Sequence, residues 1–269
     1  MAISYVKKYD KTRYQNMVLS TSEQQQNAKY IYSYLVAKHH WTLSATCGML
    51  GNIQSEATLN PSRPQNNAVS NQWWDSAPGR TGTAPSPTTT WYGFGIFQVT
   101  PWYAGPGTRR YNPYTLGNWA LANGYTAAYE DCGTIGGMDI QLEWLIQCAA
   151  ISFLNPADNN RDQRKWYQHR NAVFNAPTPT VYGASTDTPE NCAITFYWNF
   201  ERSGAQDPGS RPTKAREWYT YLSGYTPEEP NYDPGTTPTP PTPPTPPTPP
   251  TPTIKGSPFI IIAKASGLF

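Results

Sequence analysis

From Pro234 to Thr253 the chain is a run of Pro-Thr-Pro-Pro repeats, and a segment of that composition cannot join a folded core. Proline has a fixed φ and no backbone N–H, so the run supports neither a helix nor a sheet ladder, and it offers little apolar area to bury. The run predicts a semi-rigid polyproline II spacer, on the order of 60 Å long at ~3.1 Å per residue. Beyond it, residues 254–269 carry the apolar run Phe259-Ile260-Ile261-Ile262-Ala263. That run is far shorter than the ~20 residues a membrane span requires, so the expectation is a docking strand or plug, the alternative being a frayed terminus. The partition that follows is an N-terminal extension at 1–19, a globular domain at 20–224, a Pro/Thr-rich linker at 225–253 and a hydrophobic C-terminal segment at 254–269.

The stretch 20–224 is long enough for one well-buried core. A Ser20-x-x-Glu23 capping box opens a first helix that carries Ala28, Ile31 and Leu35 inward. Further helices are predicted at 138–154, 160–174, 189–200 and 212–223, the third opening on Thr188-Pro189 and the last on Pro212. Residues 62–115 are poor in helix formers and rich in Gly, Pro, Thr and Asn, which predicts loops and short strands. The expected class is therefore α+β, mostly helical. Residues 1–19 hold no apolar core of signal-peptide length, so no secretory route is expected from them.

Chemistry enters at Glu56. The stretch Ser44–Glu56 reads as a helix on which Ala45, Met49, Ile53 and Glu56 share one face, so Glu56 is expected to point inward beside apolar side chains. Desolvation disfavours the charged form of a carboxyl, and so does the negative end of a helix dipole. The pattern predicts an acid that keeps its proton near neutrality. The competing reading is a solvated glutamate at a helix end.

Two motifs follow one another here: Ser55-Glu56-Ala57-Thr58-Leu59-Asn60-Pro61, then Tyr92-Gly93-Phe94-Gly95-Ile96-Phe97-Gln98-Val99-Thr100-Pro101. Together they resemble the motifs of goose-type lysozymes and soluble lytic transglycosylases. The likeness to phage tail lysozymes is closer: the stretch from Cys47 to Glu56 recurs there nearly residue for residue, and Phe200-Glu201-Arg202 ahead of a Trp/Tyr-rich helix resembles the closing motif. The resemblance covers roughly residues 20–224 and implies a lysozyme-like fold. It also implies that Glu56 is the general acid that protonates a glycosidic oxygen of bacterial peptidoglycan. Gln98 and the backbone around Gly95 and Ile96 would line the sugar cleft. Glycine at 93 and 95 would let the chain pass close to a flat polar ligand, the alternative being an ordinary tight turn.

A glycosidase normally uses a second carboxylate. Between Glu56 and Glu130 the chain offers only Asp75, the candidate base for a hydrolase. Lytic transglycosylases dispense with a second carboxylate by letting the sugar's own 6-hydroxyl attack, and the family likeness leaves the two outcomes open. Glu201 is a further candidate near the sugar, against an ion pair with Arg202 or another arginine. The chain has 19 tyrosines and 10 tryptophans, and charged residues make up only 14%, against a typical ~25%. Trp73, Trp74, Trp91, Tyr92, Trp102 and Tyr103 flank the proposed turn. Of these, Trp73, Trp91 and Tyr92 are candidate sugar-stacking rings, with core packing as the alternative.

A formal charge of +2 argues against a nucleic-acid partner. Cys47, Cys132, Cys148 and Cys192 have no metal-like spacing, and a Cys132 to Cys192 bridge is one option among several. His39, His40 and His169 offer no two-His ligand pair, so neither metal nor cofactor is expected. Two competing functions remain: a cysteine peptidase or amidase using Cys47 with His169, and a catalytically silent protein that grips glycan. The reading as a whole is a phage particle enzyme acting at the bacterial cell wall and placed at the tail tip, with the C-terminal segment fastening it to other tail proteins. Release at lysis is the second option.

Overall fold

A computed structural model describes residues 2–8, 17–63, 93–99, 116–123, 137–147, 166–201 and 207–231. All lie within the first of the two units into which the chain divides, Met1–Thr239 and Pro240–Phe269. The described chain is mostly helical: α1 (Thr21–His39), α2 (Leu43–Ala57), α3 (Leu116–Ala122), α4 (Met138–Gln147), α5 (Pro179–Gly183), α6 (Pro189–Phe196) continued by a π-helical segment (Tyr197–Glu201), and α7 (Arg211–Leu222). No helix among the described residues is long and apolar enough to cross a membrane.

The predicted capping box forms as read: Ser20 Oγ accepts from the Glu23 backbone, and Glu23 Oε2 accepts from the Ser20 N–H at 2.8 Å. Ala28, Ile31 and Leu35 are fully buried. Thr42 caps α2 by accepting from Ala45 N at 3.1 Å. One amphipathic face was expected for α2, yet every residue from Ala45 to Ile53 is buried. Helices pack on more than one side of it, as a helix buried all round requires. Gly48 admits Cys192 of α6 and Tyr182 of α5, and Gly51 admits the backbone of α7 at Arg211 and Ala215.

Helices α1 and α4 are joined by two matched hydrogen bonds. Tyr30 donates to Asp139, and Tyr34 donates to Glu143 at 2.6 Å. Both partners advance by four residues in the same sense, so the two helices run parallel with one face of each in register. Phe97 then packs edge-on against Phe200, with ring centres 5.4 Å apart, and beside Phe196 and Trp144.

Two expectations need correction. Residues 166–174 are not helical. The backbone N–H groups of Tyr167 and His169 go to the carbonyl and the side chain of Asn199, at 3.2 and 2.9 Å, instead of back along a helix. Strand content is confined to isolated bridges among the described residues, Ile3 with Pro230 and Phe94 with Val99. Within the stretch expected to hold strands, 93–99 is a tight turn because Gly95 and Gln98 have φ of 75° and 46° and reverse the chain. The remainder of that stretch, 64–92 and 100–115, lies outside the described residues, as do 148–154 and 160–165 of two predicted helices.

Candidate active site

Glu56 sits in the last turn of α2, and the backbone after it is held in a conformation that side chains resist. Thr58 and Leu59 have φ of 52° and 60°, both left-handed. A non-glycine residue held there costs about 1–3 kcal/mol and persists only where its surroundings enforce it. The enforcing contacts are visible: Asn27 Nδ2 donates to Leu59 O at 2.9 Å, and Arg63 Nη1 donates to Thr58 Oγ1 at 3.1 Å. Asn60 follows with all its hydrogen-bonding capacity engaged. Its carbonyl oxygen accepts from Ser62 N and Lys8 N, and its amide donates to Lys8 O and Met17 O.

The Glu56 carboxylate is not alone among apolar groups, which corrects the expectation. Oε1 lies 2.5 Å from Arg211 Nη2, the two side chains retaining 19% and 15% of their exposure. The helical face was correctly oriented toward the protein, but what waits there is the first residue of α7. Arg211 is itself held, with Nη1 donating to Pro208 O at 3.1 Å and the guanidinium 5.0 Å from the Tyr197 ring centre. The register continues down α7: Lys214 Nζ donates to Ser55 Oγ at 3.0 Å, and Trp218 Nε1 to Gln54 Oε1 at 3.1 Å. Burial, then the neighbouring Arg211 charge, lowers the Lys214 ammonium below its ordinary value.

The turn at 93–99 is bolted to the same region. Phe94 N donates to Val99 O at 3.0 Å, and Gly95 N to Arg63 O at 2.9 Å. Gln98 Nε2 donates to Gly95 O at 2.8 Å and to Arg63 O at 3.0 Å. Ile96 is buried, and its N–H donates to Gln141 Oε1 at 2.8 Å, while Gln141 Nε2 donates to Pro61 O at 2.6 Å. One buried glutamine of α4 thus ties the loop after Glu56 to the turn. The glycines are explained by this packing: a Cβ on Gly95 would run into the Gln141 carboxamide, and one on Gly93 into the Gln98 backbone. The place of a Gly95 Cβ is taken by the Gln141 carboxamide, and the Gly95 and Ile96 N–H donors are engaged within the fold.

Of the other predicted site residues, Glu201 is buried at the end of the π segment. Asp75, Trp73, Trp91 and Tyr92 lie outside the described residues, as do Cys132 and Cys148. Cys47 and Cys192 are buried free thiols. Burial, and then the neighbouring Cys192, push the Cys47 thiol well up; burial pushes Cys192 up to about 12. His169 accepts from Asn171 N through Nδ1 and stacks on Trp198. A cysteine nucleophile needs a thiolate, so this arrangement runs against the peptidase reading. Sequence reasoning missed Arg211, Gln141, Asn27 and Asn60 as site-building residues. The Asn60-Pro61 pair was seen only as part of a motif.

Comparison with known proteins gives two findings. Residues 26–222 match the family described as phage tail lysozyme. The chain is also similar to a protein of Bacillus phage B103 named morphogenesis protein 1, at 30% identity over 209 residues. That similarity takes in 78% of this chain and 42% of the relative, so the chain spans less than half the relative's length.

Proposed function

The chain belongs to the phage tail lysozyme family, and from that premise we propose that it degrades bacterial peptidoglycan by cutting the glycan strand, with Glu56 as the general acid. The observation that carries the reading is the placement of Glu56. It is a half-buried carboxyl on the last turn of a rigid central helix, beside a strained, hydrogen-bonded loop and the turn that the family motif marks. Strain of that kind clusters at functional sites.

In this reading Glu56, when protonated, gives its proton to the glycosidic oxygen as the bond from that oxygen to the anomeric carbon breaks. Arg211 holds the carboxylate in place and stabilises the charge it acquires once the proton has left. The cation at the anomeric carbon is then captured in one of two ways. Water, deprotonated by Asp75, gives a reducing sugar; the sugar's own 6-hydroxyl gives a 1,6-anhydro ring and needs no second carboxylate. The proposal places the enzyme on a phage tail, with the segment after the Pro/Thr linker as its attachment to other tail proteins.

The Arg211 pairing also supports a second reading, because a structural ion pair is what a silent glycan-binding protein would keep. Solubilisation of purified peptidoglycan by the full chain and by Glu56→Gln separates the two. Release by the wild type alone supports catalysis, and binding without release supports the second reading.

A further inference from the structure

The surface beyond Arg211 carries a series of rings that the proposed chemistry does not use. Arg211 lies over Tyr197, whose ring centre is 5.1 Å from that of Trp198. Trp198 stacks on His169 at 4.8 Å with the planes only 10° apart, and His169 is 5.8 Å from Tyr167. The series begins buried at Tyr197, passes through half-buried Trp198 and His169, and ends at Tyr167, which is 38% exposed.

Two local departures from regular helix build it. The π-helical segment Tyr197–Glu201 continues α6 with a wider turn, which resets the direction of its side chains, and such segments recur at functional sites. Facing it, residues 166–174 leave the helix that their spacing predicts. Asn199, inside the π segment, holds that arm through Tyr167 N, His169 N and Ala176 O. Buried Trp166 pins it from below, donating to Ala176 O at 2.7 Å. Rings on a hydrogen-bonded frame are already ordered, so a ligand that stacks on them loses little to ordering the site.

Resting on the glycosidase reading, we propose that Trp198, His169 and Tyr167 form a sugar-stacking subsite. It would hold a pyranose ring of the same glycan strand at a position removed from the glycosidic oxygen that Glu56 protonates. The occupant is argued from position: Trp198 follows Tyr197 on the π segment, and the buried Tyr197 ring carries Arg211, which touches Glu56. A flat apolar face with a polar edge, here the ring and hydroxyl of Tyr167, which is 38% exposed, is the surface that a pyranose face with equatorial hydroxyls matches.

The test uses the full chain with purified peptidoglycan and with soluble β-1,4-linked N-acetylglucosamine oligosaccharides of graded length. Trp198→Ala and Tyr167→Ala should each raise the apparent KM for long strands about five- to tenfold, with kcat nearly unchanged and no rise for the shortest oligosaccharide cut. Trp198→Phe should restore most of the affinity. Tyr167 is exposed, so its alanine variant carries the test even if Trp198→Ala fails to fold. An unchanged KM for long strands, or the same rise at every length, overturns the subsite while the glycosidase reading stands. A wild-type chain that cuts no glycan overturns that reading, and the subsite then fails as part of a catalytic cleft.

Discussion

Arg211 Nη2 and Glu56 Oε1 meet at 2.5 Å across 155 residues of sequence, so the last turn of α2 and the first turn of α7 share one charge pair. Both side chains are largely covered, and neither can lose its partner freely. Arg211→Met should destabilise the protein by about 1–2 kcal/mol, because a half-buried carboxylate is left without its donor. Urea unfolding followed by tryptophan fluorescence measures this, and an unchanged midpoint would show that the pair contributes no net stability.

Gln141→Leu should cost more. It leaves Ile96 N–H and Pro61 O without their partners in a buried place, at about 1–3 kcal/mol for each group. Because the glutamine joins the loop after Glu56 to the turn, cleavage of peptidoglycan should fall with it. Unfolding midpoint and cleavage rate, measured on the same preparation, are the readouts.

Stability should depend on pH through Glu143. Burial alone would raise its carboxyl, but hydrogen bonds from His39, Tyr34 and Gln147 outweigh burial and hold it down at about 2. A carboxyl lower in the folded than in the unfolded state, where it is ~4.3, stabilises the fold above the unfolded value and loses that contribution as pH falls toward 2. The loss should amount to about 2–4 kcal/mol across this window. Glu143→Gln should flatten the dependence of the urea midpoint between about pH 5 and pH 2. A wild-type slope retained in the variant would assign the effect to other groups.

Cys47 and Cys192 should resist alkylation in the native protein near pH 8, since both thiols are buried and shifted upward. Mass analysis after iodoacetamide treatment, with and without denaturant, reads this directly. Rapid native labelling of Cys47 would reopen the thiol chemistry that its burial argues against.

What the sequence revealed and what it hid divide along the range of the interactions. The Ser20 and Glu23 box and the Thr188-Pro189 start of α6 are local, and each was readable from a few neighbouring residues. Periodicity placed Ala45, Met49 and Ile53 inside, but it cannot say what stands opposite, so Glu56 was expected among apolar groups when its partner is an arginine. Gln141 was hidden for the same reason: a polar residue on a helix looks solvated until the chain 45 residues away returns to meet it. Gly95 was recognised as a required glycine, but the Gln141 carboxamide that takes the place of its Cβ comes from a distant helix and was not legible. The arm at 166–174 had helical spacing, but its backbone is captured by Asn199, a long-range competitor that no local pattern discloses.

The central claim is that Glu56 donates the proton that breaks the glycan strand. Its most direct test is mass analysis of the soluble products released from purified peptidoglycan by the wild type and by Glu56→Gln in parallel, since the amide keeps the shape and lacks the transferable proton. The account predicts glycan fragments from the wild type only, ending in reducing sugars if water is the acceptor and in 1,6-anhydro sugars if the 6-hydroxyl is. Fragments released undiminished by Glu56→Gln would contradict it.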